Sequence, residues 1–382
     1  MKFLRELSKS ELRGVKVLVR VDFNVPVVKG RVTNDFRVRM ALPTLAFLKD
    51  AGAKIIMVSH IETAETDGGP TLEPLVHTLK MLGISVSFIK NYKNARTEIE
   101  NLAEGGMILL ENIRMHAGEK TNDKAFAKEL ASLADIYVND AFAVSHREHA
   151  SICAVTDFLP SYAGFLLEKE ITHLKTALNP ESSDRPFLFI LGGAKFETKL
   201  SLVEKFMNIA DFVFIGGALA NDFFKEAGYE VGKSLVSNQK FNLSRFSGSP
   251  KLLLPSDAVT GAATKSIQNI LPDETIYDAG PETLKMLSEK ISQAKYILWN
   301  GPLGAYEKGY KKPTLVLAHK IAESTVRGTK TIIGGGDTLA AIAELGVEDK
   351  FTFVSTGGGA MLDFLANETT AGVEALEKNR GN

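Results

Sequence analysis

Short apolar runs alternate with longer helical patterns along the whole chain, and this alternation indicates the fold class. In the first half, the predicted strands are Val15–Val21, Lys54–Val58, Ser85–Ile89, Met107–Leu110 and Asp135–Val138. In the second half, they are Phe187–Leu191, Phe212–Ile215, Tyr296–Trp299, Thr331–Ile333 and Phe351–Val354. Strands that alternate with helices are typical of βαβ units. The pattern therefore predicts an α/β fold built on parallel sheets.

A helical pattern flanked by prolines separates the two groups of strands. Apolar positions recur at helical spacing over Ser161–Leu178, between Pro160 and Pro180. The chain has 382 residues, and single cores rarely grow beyond about 250–300 residues. We therefore predict two Rossmann-like, doubly wound parallel-sheet domains, 1–160 and 180–362, joined by a hinge helix over 161–179.

The composition excludes several kinds of partner. Lys and Arg number 45 against 46 Asp and Glu, which gives a net charge of −1, and no basic run indicates a nucleic-acid site. Cys153 is the only cysteine, which excludes an intrachain disulfide. The N-terminus has no apolar secretion signal, and no stretch approaches the ~20 apolar residues of a membrane span. We expect a soluble, cytoplasmic monomer with no nucleic-acid or membrane partner.

The residues that follow the predicted strands differ between the two halves. First-half strands are followed by polar side chains, namely Asp22, Asn24, His60, Asn112, Arg114, Asn139 and Asp140. Second-half strands are followed by glycines, namely Gly192-Gly193, Gly216-Gly217, Gly301-Pro302, Gly334–Gly336 and Gly357–Gly359. Ligands of open α/β sheets bind outside the carboxyl ends of the strands. The first domain is therefore expected to bind a small polar anion through side chains, and the second a polyphosphate through backbone amides.

The run KTIIGGGDTLA (Lys330–Ala340) adds to the case for a phosphate site in the second half. Its three glycines stand between the end of a strand and the start of a helix, where backbone N–H groups and the helix dipole favour an anion. Asp337 at the helix start has two interpretations. It either caps the helix in an ordinary tight turn or holds a Mg²⁺ that bridges phosphates.

Two lysines follow Gly192-Gly193 in the run LGGAKFETKL. The four-residue spacing of Lys195 and Lys199 predicts that both lie on one face of the first helical turns. Their ammonium groups would then meet a nucleotide phosphate and the phosphoryl group in transfer. The alternative is a pair of solvated surface lysines, which is the commoner fate of this residue type.

Arginines in the first-half loops are candidates for binding an anion. Arg37, Arg114 and Arg147 lie in segments that follow or join predicted strands, and guanidinium groups bind carboxylate or phosphate in a bidentate manner. Each of them taken alone would also fit a surface ion pair. The same ambiguity applies to His60, His146 and His149, since a lone histidine commonly has a structural role.

Other common cofactor motifs are absent or lack the required context. The segment Ala227–Ser234 (AGYEVGKS) resembles a loose P-loop, but it follows a predicted helix, Ala218–Glu226, instead of a strand. Gly228 is better explained as a helix C-cap. No GxGxxG follows a predicted strand, and no HExxH or paired-cysteine spacing indicates zinc.

Seven segments together resemble one known family. They are RVDFNVP (Arg20–Pro26), ENIRMHAGE (Glu111–Glu119), NDAFAVSHREHAS (Asn139–Ser151), LGGAKFETK (Leu191–Lys199), LWNGPLGAYE (Leu298–Glu307), GGGDT (Gly334–Thr338) and STGGGA (Ser355–Ala360). In their order and their spread over the chain they resemble phosphoglycerate kinase. The resemblance implies reversible phosphoryl transfer between 1,3-bisphosphoglycerate and ADP, giving 3-phosphoglycerate and ATP. It also implies Mg²⁺ as a cofactor and small molecules as the partners.

The resemblance further implies roles for individual residues. The substrate-binding residues would be Asp22, Phe23, Asn24, Arg37, His60, Arg114 and Arg147. The nucleotide-binding residues would be Gly193, Lys195, Lys199, Gly217, Asn300, Pro302, Glu307, Gly335, Gly336, Asp337 and Thr338. Glu307 would bind the ribose and Asp337 the Mg²⁺, while Arg37, Lys199 and Gly358 would act on the phosphoryl group in transfer. The last residues, 363–382, would return towards the first domain, and closure at the hinge would bring the two ligands together.

The chain departs from the family pattern at Ser59–Ala64, which reads SHIETA where the family usually reads SHLGRP. Glu62 stands in place of a glycine, and Thr63 in place of an arginine of the substrate pocket. Because a charge-assisted hydrogen bond is worth roughly 1.5–3 kcal/mol, we expect weaker binding of phosphoglycerate. Two alternatives to an active enzyme of this family stay open. One is a nucleotide-binding relative whose acid-substrate pocket has decayed, and the other is a kinase for a different small acid.

Overall fold

The computed structural model describes residues 1–62, 70–194, 196, 199–239, 241–261 and 263–379. By contacts the chain divides into two compact units, Met1–Thr172 with Asn367–Asn382, and His173–Ala366. The sequence-based domain division gives each segment both bounds and a function, and this division stays a prediction. Within the described ranges, no helix is long and apolar enough to cross a membrane.

The first unit contains one six-stranded parallel sheet flanked by helices. Its strands are β1 (Lys16–Val21), β2 (Val27–Val28), β3 (Arg31–Val32), β4 (Lys54–Val58), β5 (Ser87–Ile89), β6 (Met107–Leu110), β7 (Ile136–Asp140) and β8 (Ser161–Ala163). Its helices before the second unit are α1 (Lys9–Leu12), α2 (Phe36–Asp50), α3 (Glu73–Met81), α4 (Tyr92–Glu100), α5 (Ala117–Lys120), α6 (Lys124–Ala131) and the start of α7 (Phe165–Leu178). The sheet order is β5-β6-β4-β1-β7-β8, and β2 pairs with β3 in a small antiparallel ribbon.

The second unit contains another six-stranded parallel sheet. Its strands are β9 (Phe187–Leu191), β10 (Phe212–Ile215), β11 (Leu252–Leu253), β12 (Asp257–Thr260), β13 (Ala263–Ser266), β14 (Asp278–Ala279), β15 (Tyr296–Asn300), β16 (Lys330–Gly334) and β17 (Phe353–Val354). Its helices are α8 (Leu200–Ile209), α9 (Leu219–Glu226), α10 (Pro281–Gln293), α11 (Lys312–Val326), α12 (Gly336–Leu345) and α13 (Gly358–Asn367). The sheet order is β11-β10-β9-β15-β16-β17, and β12 to β14 form a separate antiparallel sheet.

These sheets confirm the predicted α/β fold with two parallel-sheet domains. Every residue of β9 and β15 is buried, which is why these strands read as continuous apolar runs rather than alternating ones. All ten predicted strands are present, and most of them are buried in the same way; in β5, however, Ser87 is exposed and Phe88 is only half-buried. The helix α9 also begins and ends where the sequence indicates, and Gly228 follows it in the left-handed region at φ +83°.

The prediction of one helix over Ser161–Leu178 is wrong at its beginning. Residues Ser161–Ala163 form β8, an edge strand that pairs with β7. The helix α7 begins at Phe165, because side chains from elsewhere in the first unit bind its first backbone N–H groups. Phe165 donates to Thr44 Oγ1 at 3.0 Å, and Leu166 donates to Asp140 Oδ1 at 2.8 Å. Helix N-termini need such acceptors, and no local sequence signal shows where they come from.

The helix α14 (Ala371–Lys378) belongs to the first unit although it follows the second unit in the chain. Asn379, just after this helix, accepts a hydrogen bond from the Ser161 N–H at 3.0 Å. Its side-chain amide donates to the carbonyl oxygens of Thr156 and Leu159 at 2.6 and 3.2 Å. The end of α14 is therefore fixed to the segment that leads into β8.

Candidate functional site

A buried arginine organises the polar cluster of the first unit. Arg20 is a charged residue in the otherwise mostly apolar strand β1, and it is fully buried. Its Nε donates to Ser151 Oγ at 2.9 Å, and the Ser151 hydroxyl donates to Glu119 Oε1 at 2.7 Å. A buried charge is costly unless it is paired and hydrogen-bonded. Glu119 therefore offsets the charge of Arg20 through Ser151.

His60 follows β4 and is a buried, neutral hydrogen-bond donor. Its Nδ1 lies 3.2 Å from Nη2 of Arg20. A guanidinium can only donate, so Nδ1 accepts and the proton lies on Nε2. Burial lowers the pKa of His60 far below its usual range, and the charge of Arg20 adds to this effect. Nε2 is buried and has no hydrogen-bond partner among the described residues, so its donor is left unpaired there.

Asp22, Asn24 and Arg37 come together just after β1. Arg37, in the first turn of α2, places Nη1 at 3.0 Å from Asp22 Oδ2 and donates to the Asn24 carbonyl at 3.1 Å. The Asn24 N–H donates to Asp22 Oδ1 at 3.2 Å. Phe23 is fully buried and its N–H donates to Ser59 Oγ at 2.8 Å, so its side chain belongs to the core. The loop is therefore held in one shape by its own polar groups.

Arg114 and Arg147 converge on the carboxylate of Glu62. Nη1 of Arg114 donates to Glu62 Oε1, and Nη1 of Arg147 donates to the same oxygen at 3.2 Å. The bond from Arg114 is the largest of the effects that lower the pKa of Glu62 to about 2. A cavity of about 330 Å³ opens beside these groups, and Lys120 also lines it. The structure thus brings two of the three predicted arginines together on one carboxylate, while Arg37 contacts Asp22 and Asn24.

His149 does not join this anion site. Its Nδ1 lies 3.7 Å from Oε1 of the buried Glu119. Burial, followed by Arg114, lowers the pKa of His149 to about 4, so the side chain is neutral near pH 7. The contact is therefore not an ion pair under those conditions.

Several glycine loops of the second unit are explained by packing against one another. A Cβ on Gly192 would lie 2.1 Å from the Pro302 carbonyl oxygen, and one on Gly217 would lie 2.6 Å from the Gly193 nitrogen. A Cβ on Gly301 would lie 2.5 Å from the Gly192 carbonyl oxygen. These loops follow β9, β10 and β15 and meet backbone to backbone. Their glycines are required by the fold before any ligand is considered.

Gly336 and Gly358 differ, because they open two helices that begin side by side. A Cβ on Gly336 would meet no described atom within 4 Å, and one on Gly358 would lie 3.6 Å from the Gly336 nitrogen. Gly335, with φ +102°, makes the turn between β16 and α12. Two adjacent helix N-termini present unpaired N–H groups and a favourable dipole to an anion.

Lys199 is buried at the carboxyl end of β9. Its Nζ donates to the Gly192 carbonyl at 2.8 Å, and the residue is 8% exposed. The prediction that it lies in the first helical turns is wrong, because α8 begins at Leu200 with Lys199 as its N-cap. The alternative of a solvated surface lysine is also wrong. Lys195 lies outside the described residues.

Asp337 lies in the first turn of α12, where Gly335 holds the N-cap position. The interpretation of Asp337 as the N-cap is therefore wrong. Burial raises its pKa, Glu307 raises it further, and Lys199 lowers it. A bound cation would relieve this cost. The described residues contain no group of three or more His, Cys, Asp or Glu side chains placed for a metal, so a cation at Asp337 would need most of its ligands from a bound molecule or water.

Three of the remaining predicted nucleotide residues, Thr338, Pro302 and Asn300, have structural partners, whereas Glu307 is exposed in the turn Tyr306–Lys308. Thr338 is fully buried, and its Oγ1 accepts a hydrogen bond from the Gly301 N–H at 2.9 Å. The Pro302 carbonyl accepts from the Gly193 N–H at 2.9 Å, and Asn300 Nδ2 lies 3.6 Å from Met361 Sδ. These residues shape the loops around the two helix N-termini.

Sequence reasoning missed the inner partners of the first-unit cluster. Arg20, Ser151 and Glu119 lie within the family segments but received no role of their own. A charged residue inside an apolar strand was the available signal for Arg20. No spacing rule connects Ser151 to Arg20, because 131 positions separate them.

Comparison with known proteins finds one family along almost the whole chain. A family model described as phosphoglycerate kinase matches residues 7–368. The phosphoglycerate kinase of Dictyoglomus turgidum is 43% identical over 395 aligned positions, covering 98% of this chain and 99% of the relative. The chloroplastic phosphoglycerate kinase of Volvox carteri is 40% identical, covering 99% of this chain and 86% of the relative.

Solved structures show the same architecture. The phosphoglycerate kinase of Pyrococcus horikoshii superposes with a TM-score of 0.85 at 30% identity, covering 99% of both chains. The enzyme of Coxiella burnetii gives a TM-score of 0.81 at 33% identity, covering 98% of both chains. With the family model and these relatives spanning almost its whole length, the chain belongs to the phosphoglycerate kinase family.

Proposed function

We propose that the chain transfers a phosphoryl group reversibly between 1,3-bisphosphoglycerate and ADP, giving 3-phosphoglycerate and ATP. The observation that carries the proposal is the first-unit cluster, in which Arg37, Arg114 and Arg147 lie around the neutral donor His60. Phosphoryl transfer depends on positioning and charge neutralisation more than on a covalent nucleophile. The cluster supplies those two things for a small acid that carries phosphate.

In this proposal the first unit binds the acid substrate through side chains. Asp22 and Asn24 hold its hydroxyl and carboxylate region, and His60 donates through Nε2. Arg114 and Arg147 bind the substrate anion. Arg37 stabilises the phosphoryl group in transfer, since its bonds to Asp22 and Asn24 fix the guanidinium at the loop.

The second unit binds the nucleotide through backbone amides. The N-termini of α12 and α13, opened by Gly336 and Gly358, receive phosphate oxygens, and Lys199 adds a positive charge nearby. Asp337 would hold Mg²⁺, which neutralises charge on the phosphates when bound. Glu307 would accept hydrogen bonds from the ribose. Since each unit holds one substrate, the reaction also requires a closure step that excludes water.

A nucleotide-binding relative that has lost the acid substrate is the second candidate. The observation in its favour is Glu62, whose carboxylate already takes a hydrogen bond from Arg114 and another from Arg147. Cytoplasmic location and a monomeric state stay predictions under either function.

The test is ATP-dependent phosphorylation of 3-phosphoglycerate, coupled to NADH oxidation through glyceraldehyde-3-phosphate dehydrogenase. We expect activity in the wild type and its collapse in Arg37→Ala. Survival of activity in the variant would keep the kinase but remove Arg37 from the chemistry. Absence of activity in the wild type, with Mg-ADP still bound, would favour the second candidate.

A further inference from the structure

Glu62 occupies the position at which the first-unit arginines would meet a ligand. One of its oxygens accepts hydrogen bonds from both Arg114 and Arg147. The Glu62 side chain is 43% exposed, whereas that of Arg114 is only 9% exposed. The carboxylate therefore approaches the guanidinium pair from the solvent side, which is the side from which a soluble anion arrives.

The backbone around Glu62 places its carboxylate there. The Glu62 N–H donates to Asn24 Oδ1 at 3.0 Å. Ile61 is buried, its N–H donates to Asn112 Oδ1 at 3.3 Å, and its carbonyl accepts from Asn112 Nδ2 at 2.9 Å. Because this backbone is held in place, the Glu62 side chain loses less conformational freedom when it forms its hydrogen bonds than a side chain on a mobile segment would.

The charges of the cluster favour an exchange of anions. Four guanidinium groups face three carboxylates in the described part of this site: Arg20, Arg37, Arg114 and Arg147 against Asp22, Glu62 and Glu119. Glu119 and Asp22 are buried and committed to inner partners. Glu62 is the most exposed of the three carboxylates, so it is the one that an incoming anion can replace without opening the core.

We propose that Glu62 is an internal competitor for the Arg114–Arg147 pair and that an incoming phosphate group must displace it. A phosphate monoester carries nearly two charges near pH 7 and three acceptor oxygens, against one charge and two oxygens for the carboxylate. The exchange therefore favours phosphate and disfavours singly charged anions. Glu62 lowers the affinity of the arginine pair for every incoming anion, and its role as a competitor of the acid substrate rests on the proposed function.

The experiment compares wild type with Glu62→Gln, which keeps the shape of the side chain and removes its charge. Dissociation constants for 3-phosphoglycerate and for inorganic sulfate are measured by calorimetry. We expect Glu62→Gln to bind both about fivefold more tightly, since an exposed ion pair is worth about 1 kcal/mol or less. The matched control is Glu104→Gln, because Glu104 is 55% exposed and pairs only loosely with Arg13 at 3.9 Å. The control is expected to leave both constants unchanged.

Sulfate makes the inference independent of the natural substrate. The gain in sulfate affinity must disappear when Arg114→Ala is added to Glu62→Gln, which assigns the bound ion to this arginine pair. If 3-phosphoglycerate bound to neither protein, the proposed function would fail, and sulfate alone would decide the role of Glu62. Equal sulfate affinity in wild type and Glu62→Gln would overturn the inference. A lower melting temperature with unchanged affinities would mean that Glu62 is only a structural ion pair.

Discussion

At the scale of the single residue, His60 shows how burial sets a protonation state. Its Nδ1 accepts from Arg20 while Nε2 faces no described partner. Desolvation and neighbouring guanidinium charge act in the same direction on its pKa. In the structure His60 is therefore a neutral hydrogen-bond donor in the pH range where an ordinary imidazole would titrate.

We predict that His60 stays neutral with its proton on Nε2 from pH 8 down to pH 5. Imidazole ¹⁵N shifts, assigned by loss of the signals in His60→Gln, measure this directly. A histidine-containing model peptide in the same buffer serves as the comparison, because its imidazole titrates near pH 6.5. Protonation of His60 within that range would contradict the geometry described for Arg20.

Glycines of the second unit are predicted to fall into two functional classes. In Gly336→Ala the new methyl group has room, so we expect little change in the free energy of unfolding. The methyl group would stand at the helix N-terminus, and we expect roughly tenfold weaker Mg-ADP binding from the loss of a charged hydrogen bond. In Gly192→Ala the methyl group meets the Pro302 carbonyl at 2.1 Å, and we expect destabilisation of about 1–3 kcal/mol or more.

Chemical denaturation and calorimetric titration of the two variants separate these expectations. Unchanged Mg-ADP affinity in Gly336→Ala would remove the start of α12 from the nucleotide site. Wild-type stability in Gly192→Ala would show that the packed loops can move apart.

At the scale of the element, α7 depends on side chains that lie far from it in the sequence. Asp140 is fully buried and its Oδ1 accepts from the N–H groups of Leu166 and Leu167. Burial raises its pKa to about 6, although bonds from Thr44 and the backbone oppose the rise. The folded state therefore holds this proton more tightly than the unfolded chain does.

A pH dependence follows from the raised pKa of Asp140. The contribution of Asp140 to the free energy of unfolding is full below the pKa of the unfolded chain, near 3.8. This contribution is lost as the pH rises through the folded-state pKa of about 6. In Asp140→Asn this dependence is absent. We expect the free energy of unfolding of the wild type, relative to the variant, to fall by up to about 3 kcal/mol between pH 4 and pH 7. Denaturant titrations of both proteins across that range provide the measurement, and parallel curves would contradict the expectation.

The sequence was sufficient for elements whose residues are buried on both faces. Strands such as β9 and β15 follow from continuous apolar runs because they are buried on both faces, whereas β5 forms from a run that is only partly buried. The separate antiparallel sheet could not be predicted, since β13 is mostly exposed and carries no alternating pattern. The strand β8 was not predicted for another reason. Its three residues join a helical pattern in the sequence, and only pairing with β7 makes them extended.

At the scale of the candidate site, the sequence indicated candidate residues but not which of them contact one another. Strand ends pointed to Arg114, Lys199 and Gly336 as neighbours of a ligand, and that role stays a prediction. The pairing of Glu62 with two arginines depends on loops that are 52 and 85 positions apart. Contacts over such separations are set by the fold as a whole, and no local pattern encodes them.

At the scale of the whole molecule, the first unit is built from two separate parts of the chain. Asn379 is 9% exposed and joins the end of α14 to Ser161, Thr156 and Leu159 through three hydrogen bonds. We predict that Asn379→Ala destabilises the first unit by about 3 kcal/mol, since it leaves buried polar groups without partners.

Differential scanning calorimetry with and without Mg-ADP tests this prediction. The transition that Mg-ADP shifts belongs to the second unit, and we expect Asn379→Ala to lower the other one. The control is Asn208→Ala, because Asn208 is exposed on α8 and bonds only within its own helix, to the Glu204 carbonyl. An unchanged first-unit transition would mean that the end of α14 contributes little.

The return of the chain to the first unit also orders events during synthesis. A ribosome releases the whole of His173–Ala366 before it releases α14. The second unit can therefore fold while the chain is still being made, whereas the first unit waits for α14 and leaves the Ser161 N–H of β8 without its Asn379 acceptor. During that interval this N–H group is open to pairing with other chains, and a nascent first unit is the part of this protein that would most need a chaperone.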